Sequence, residues 1–302
     1  MLLARKGAVH LLPISLALLA AFIHACWSLL SKRLSQYGPT AFVGLASLGS
    51  LLAYAPIVIF LTESSTFHPS GMQAAFLAGS ILINLAYFVI TQYGYRIGDL
   101  SFVYPIARGT GPILATLGGM LFLGEMPSVL GVVGLLAVAT GVMAIGLFGK
   151  SADRQGVARI GPPFVFTYAL LSGVAIASYT LWDQHAVGPL AISPLLLNAV
   201  DDAGRVVLLG PVVFRSRHEV RKLWSECRLL IVASGTLMPL PYLLFLYALR
   251  LAPTNVVSPV REVSVVLVVL ASGKFLAEGQ MRFKLLVSAA VLFGLVTLTV
   301  GA

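Results

Sequence analysis

Apolar runs of about 20 residues recur along this chain, each long enough as a helix to cross a hydrocarbon core of about 30 Å. Cut at polar or Gly/Pro breaks, the 302 residues yield about ten of them, near 11–33, 39–62, 71–95, 101–122, 128–148, 162–182, 190–214, 227–249, 256–276 and 283–301. In lipid every backbone N–H and C=O must be satisfied inside the protein, so only helices and closed barrels span. The residue-by-residue alternation of a barrel strand is missing here. The expectation is an all-α polytopic membrane protein with about ten transmembrane helices. Composition agrees, since 58% of residues are hydrophobic and 10% are charged, against roughly a quarter charged in soluble domains. The short loops leave little chain for a soluble domain, so function must sit among the helices.

The net charge of +9 does not point to nucleic acid, because the basic residues follow the loops and form no groove-sized patch. With ten spans, one side holds Arg5, Lys6 and Arg250. The other holds Lys32, Arg33, Arg96, Lys150, Arg154, Arg159, Arg215, Arg217, Arg221, Lys222, Arg228, Lys274, Arg282 and Lys284. The positive-inside rule then puts both termini outside and the loop "FRSRHEVRKLW" in the cytoplasm. Cys26 and Cys227 are the two cysteines, without metal-ligand spacing, so no metal, cofactor or disulfide framework is expected. The opening "MLLARKGAVHLLPISLALLAAFIHAC" is read as the first span and not as a cleaved signal, because His24 suits a cleavage site poorly.

The polar stretch "GKSADRQGVARIGPP" divides the runs five and five, and the halves resemble each other. "YRIGDLSFVYP" aligns with "LRLAPTNVVSP", so Arg96 meets Arg250 and Pro105 meets Pro259. After a one-residue gap Arg108 meets Arg261, "FLGE" meets "FLAE" and Gly141 meets Gly294. Earlier, Trp27 stands opposite Tyr179 and Ser31 opposite Asp183. Five spans is an odd number, so the halves insert in opposite senses: two inverted five-helix repeats, 1–149 and 162–302, with 150–161 as linker.

On "YRIGDLSFVYPIARGTGPILATLGGMLFLGE" and "YALRLAPTNVVSPVREVSVVLVVLASGKFLAE" the chain resembles the drug/metabolite transporter superfamily, in its ten-helix form with two EamA-type repeats. Gly124–Glu125 fits the family's Gly-Glu ending of the fourth helix, while Ala277–Glu278 replaces the glycine. The resemblance implies transport by alternating access. Members move amino acids, nucleotide sugars, organic phosphates, cations or drugs in either direction. Many are drawn with cytoplasmic termini, opposite to the charge count.

Ionisable groups inside spans are costly and usually face a polar cavity or a partner. Arg108, three residues past Pro105, and Arg261, two past Pro259, are placed to hold a substrate carboxylate or phosphonate. The other reading is pairing with an acid of the protein itself. Pro105 and Pro259, with Gly109 and Gly111, weaken the local helix and suit a hinge or gate. In "SPLLLNAVDDAGRVVLLGP", Asp201 and Arg205 are four apart and expected to pair. Asp202 is then left as a proton site, a substrate-amine site or part of an interhelical network, with Asn198 beside it. Trp27, Tyr87, Tyr104 and Tyr179 can line a cavity, and Trp182 reads as an interface residue. His24 is either a proton relay or a packing histidine; with Asp202 and Glu262 it makes up the proton-coupling set. Glu125 and Glu278 read as structural.

The functional expectation is a secondary transporter of a small polar metabolite in the inner membrane, with an amino-acid or zwitterion exporter first. An organic-anion carrier for organophosphonates or phosphate esters, or a drug/cation exporter, is the alternative. Outside that class stand a membrane-embedded enzyme and a sensor. Expected partners are the small-molecule substrate and the lipid bilayer, with no nucleic acid, in a monomer or homodimer.

Overall fold

The computed structural model describes residues 2–62, 69–118, 120–121, 128–148, 162–251, 257 and 260–301. Among these the protein is all-α. The helices are α1 (Leu2–Leu34), α2 (Pro39–Thr62), α3 (Gly71–Ile97), α4 (Leu100–Gly118), α5 (Val129–Phe148), α6 (Pro162–Val187), α7 (Pro194–Arg215), α8 (Arg217–Leu237), α9 (Leu240–Leu251), α10 (Ser264–Leu276) and α11 (Met281–Val300). Seven helical segments are long and apolar enough to cross a membrane. α4, α7 and α10 are not among them. Arg108, prolines and glycines dilute α4, three buried charges interrupt α7, and α10 has only 13 residues. Leu52, Phe60, Val129, Leu136, Leu229 and Leu286 are exposed while Ser47, Ser50, Ser80, Ser234 and Ser288 are buried. This inversion suits hydrocarbon outside and close helix packing inside.

The stretch expected as the loop "FRSRHEVRKLW" is helical instead. α7 runs to Arg215 and α8 starts at Arg217, since Arg, Lys and Glu are good helix formers. α8 leaves helical geometry at Cys227 (φ −132°, ψ 20°), where the polar segment gives way to the apolar run.

The helices group into two compact units. The first comprises Met1–Leu29, Ile97–Val174 and Leu240–Ala302, and the second Leu30–Arg96 and Ala175–Pro239. Each unit therefore draws on both halves of the sequence.

In the first unit α5 packs on α11 through glycines. A Cβ on Gly134 would lie 2.4 Å from the amide nitrogen of Leu298, and one on Gly294 would lie 2.7 Å from that of Val138. Gly141 faces Val291 at 2.6 Å in the same way. The backbones thus approach as closely as small residues permit.

The start of α4, which carries Arg108, is fixed within this unit by charge. Glu278 accepts the amides of Leu100 (2.7 Å) and Ser101 (2.8 Å), satisfying two orphan donors of the helix N-terminus with an anion. Lys284 donates to Asp99 and to the Ser101 hydroxyl, each at 2.9 Å. Asp99 and Lys284 are both buried, so Lys284, placed in a loop from the sequence, belongs to the core. Glu278 is structural, as expected.

In the second unit α2 packs against α7 and α8, around Leu34, Phe42, Ala46, Leu223, Cys227 and Ile231. A Cβ on Gly235 would come within 3.0 Å of Gly49 Cα. Lys32, also expected at a loop, is buried and donates to the Tyr95 carbonyl. Removing Lys32 and Lys284 from the loop tally does not reverse the charge bias.

Two stability predictions follow from these contacts. Gly134→Val should lower the melting temperature in detergent, at a cost of about 1–3 kcal/mol or more for an overpacked site. Gly210→Ala, where nothing lies within 4 Å of the added methyl, should be neutral. Lys284→Met should lower the melting temperature by removing the buried ion pair with Asp99. The double variant Lys284→Met/Asp99→Leu should recover much of that loss in the same melting measurement.

Candidate functional site

The polar residues expected to carry function fall into two groups, one within each unit. In the first unit α4 is continuous through Pro105, Arg108, Gly109 and Pro112, so the expected irregular turn does not form. Pro105 and Pro112 remove the N–H groups that would bond to the carbonyls of Ser101 and Arg108, yet packing holds the helix. A Cβ on Gly109 would lie 2.5 Å from Val142 Cγ2, so this glycine serves the approach of α5; Gly111 is buried too. In the second copy residues 260–262 are helical and Val263 interrupts the pattern before α10. Pro259 lies outside the described residues.

Arg108 Nη2 lies 2.9 Å from His24 Nε2. A guanidinium nitrogen can only donate, so in this arrangement His24 accepts through an unprotonated Nε2. This makes His24 a hydrogen-bond partner of Arg108. Arg261 also acts on His24 electrostatically. Trp27 and Tyr104 each stand 5.8 Å from the His24 ring, centroid to centroid. Tyr104 shares a hydrogen bond with Ser264 at 3.1 Å, and its ring lies 5.7 Å from the Arg108 guanidinium carbon. The Arg261 guanidinium sits over Phe245 at 4.6 Å. Glu262 acts electrostatically on Tyr104, and its Oε2 is buried with no hydrogen-bond partner among the described residues.

In the second unit the charges of α7 pair differently from expectation. Arg205 forms its ion pair with Asp202, three residues away, and not with Asp201. Asp202 also accepts from Ser50 (2.7 Å) and Asn198 (3.3 Å). Arg205 Nε donates to Ser47 at 3.0 Å, and its guanidinium covers Phe88 at 4.4 Å. Asp202 is thus the neutralised acid of the network. Spacings of three and four are both reachable on a helix; here Ser47 and Ser50 on α2 and Phe88 on α3 select the shorter one.

The less satisfied acid is Asp201. Its Oδ2 lies 3.2 Å from the Ser80 hydroxyl, and its Oδ1 has no hydrogen-bond partner among the described residues. Ser80 also reaches Asp183 at 2.7 Å, which Asn84 joins at 3.3 Å. Ser80, Asn84 and Asp183 were not proposed as site residues from the sequence. The available signal was two polar residues four apart, Ser80 and Asn84, within the apolar middle of α3. Tyr87 and Tyr179 come together at 5.2 Å between ring centroids. Trp182 donates to the Phe76 carbonyl at 2.8 Å and stacks on the Phe76 ring. Among the described residues no group of three or more His, Cys, Asp or Glu is arranged to hold a metal ion.

Apolar spans enclosing charged groups define a multi-pass membrane protein. Residues 11–147 and 164–300 each match the EamA-like transporter family, and the chain belongs to it. No curated protein sequence matches the chain. The family comprises membrane transporters of the drug/metabolite type.

The Arg205 network makes its own prediction. Arg205→Met should destabilise the protein by about 3–5 kcal/mol, because Asp202 would be left buried and unpaired. Arg205→Lys should fall between it and wild type, since one ammonium cannot reproduce the forked contacts to Asp202 and Ser47. Thermal melting of the purified variants reads the order.

Proposed function

We propose that the protein is an inner-membrane secondary transporter of a small zwitterionic metabolite, an amino acid or close relative. Arg108 and Arg261 would bind the carboxylate and Glu262 the ammonium group. The observation that carries this reading is the composition of one neighbourhood in the first unit. Arg108 is hydrogen-bonded to His24, on which Arg261 also acts electrostatically, while a buried Glu262 oxygen has no hydrogen-bond partner among the described residues. A substrate carboxylate is a stronger acceptor for a guanidinium than an imidazole nitrogen, because the bond is charge-assisted at both ends. It would displace His24 as the acceptor. The Tyr104 and Trp27 rings supply flat walls beside it, which limits the size of side chain accepted.

A plain organic anion would use the arginines and leave Glu262 opposed to its charge, so that alternative ranks second. An organic cation would meet two like charges and ranks third. Pro105, Gly109, Gly111 and Pro259 are proposed as the places where the fourth helix of each repeat yields during alternating access.

Thermal stabilisation of the purified protein by amino acids, organophosphonates, organic acids and organic cations tests the reading. Amino acids should raise the melting temperature, Arg108→Gln and Arg261→Gln should abolish the rise, and Arg108→Lys should keep part of it. Stabilisation by organic cations alone, unchanged in the arginine variants, would remove this proposal. Flux of the stabilising amino acid in proteoliposomes then shows transport.

A further inference from the structure

The Ser80 hydroxyl has one proton and stands against two carboxyl groups. It lies 2.7 Å from Asp183 Oδ1 and 3.2 Å from Asp201 Oδ2. One hydroxyl cannot donate to both. Asn84 Nδ2 approaches the same Ser80 oxygen at 3.2 Å and Asp183 Oδ2 at 3.3 Å, and an amide nitrogen only donates. The shorter bond is the one to assign to the serine proton, so Ser80 donates to Asp183. The contact to Asp201 is then a hydrogen bond only if Asp201 supplies the proton.

A second observation agrees. Asp201 is only 5% exposed, and its Oδ1 finds no hydrogen-bond partner among the described residues. A buried carboxylate with an oxygen left bare is far more costly than a neutral carboxylic acid in the same place. The surrounding charges point the same way. From its own helix Asp201 faces Arg205 and Asp202, and from α6 it faces Asp183. Arg205 is already paired with Asp202. With Asp201 ionised, three carboxylates would share one guanidinium; with Asp201 neutral, the surplus falls to a single negative charge. Like charges this close do not both ionise readily.

We propose that Asp201 and Asp183 form a proton-binding pair bridged by Ser80, the site of a transferable proton in this transporter. In one state Asp201 is the acid: its Oδ2–H bonds to Ser80 Oγ, and Ser80 donates to the Asp183 carboxylate. In the other, the Asp201 proton has moved to Ser80 Oγ while the Ser80 proton has moved to Asp183 Oδ1. Asp201 is then the carboxylate and Asp183 the acid. Atoms and charge balance, and no co-reactant is needed. The proton belongs to the pair, since it is the second carboxyl that makes it necessary. Its use in transport rests on the family assignment. The proton itself does not depend on what the arginines bind, so either reading can fail alone.

Infrared difference spectroscopy of the full-length protein in lipid nanodiscs, without substrate, is the test. At neutral pH the wild type should show the C=O stretch of a protonated carboxyl. Asp201→Asn should lose one carboxyl's worth of that band. Asp183→Asn should lose it as well, because Ser80 can then donate to an ionised Asp201. Ser80→Ala should keep the band but shift it, since the acceptor of the acid proton is gone. If Asp201→Asn does not fold, the other two variants carry the test. A band that stays at wild-type strength in Asp183→Asn overturns the shared proton and leaves burial as the cause. A wild-type band erased by sodium, and not by choline, at constant pH and ionic strength overturns it in favour of a metal cation site.

Discussion

A charge sealed among helices that face hydrocarbon has no water to return to, so its partners must come from the protein. Arg205 shows what this demands. One guanidinium takes a carboxylate three residues away, a serine on α2 and an aromatic face on α3, and in doing so ties three helices of the second unit together. In the first unit, Lys284 and Asp99 join the start of α4 to α11, while the Glu278 carboxylate closes the two amides at that end. These contacts fix where α4 begins and hence where Arg108 stands along it. These buried polar groups are held in place by other polar groups, because apolar packing against lipid is not selective enough to do so.

The two units differ in the sign of what they enclose. Around His24 the named ionisable groups are mainly donors, two arginines with Glu262. Around Ser80 they are three aspartates with Arg205. This difference does not follow the repeat. Arg108 and Arg261 are equivalent positions, but Asp183 stands opposite Ser31, and Arg205 stands opposite Ala53. A scaffold with internal symmetry therefore holds one symmetric feature and one that only the second half supplies. The donors suit a carboxylate-bearing solute, and the crowded acids suit a proton.

Much of the architecture was legible in the sequence. The apolar runs at 39–62 and 128–148 correspond to α2 (Pro39–Thr62) and α5 (Val129–Phe148), and the apolar part of α8 begins at Cys227 as expected. Length and hydropathy suffice for this, since a bilayer sets both. The equivalence of Arg108 and Arg261 was also readable, from the repeat. The pairing of the buried charges was not. A helix allows Arg205 to meet either aspartate, and the choice lies with residues of α2 and α3, more than 100 positions earlier in the chain. Lys32 and Lys284 read as loop charges for the same reason: their buried acceptors, the Tyr95 carbonyl and Asp99, are distant in sequence. The two prolines of α4 suggested a break, but the helix runs through both, and Gly109 lies close against Val142 of α5.

The sequence by itself determined that this chain is helical, that it lives in a membrane, that it is built twice over, and that it belongs among transporters. The first two follow from periodicity and composition along one dimension, the third from the internal repeat, and the last from the motifs that carry the family resemblance. Only the tertiary structure decided which acid is neutralised and which is left, that His24 accepts from Arg108, and that Ser80 stands between two carboxyl groups. Those are questions of one donor against several acceptors from different helices. A hydrogen bond over about 3 Å is satisfied or broken by displacements far smaller than anything a linear pattern of residue types can specify.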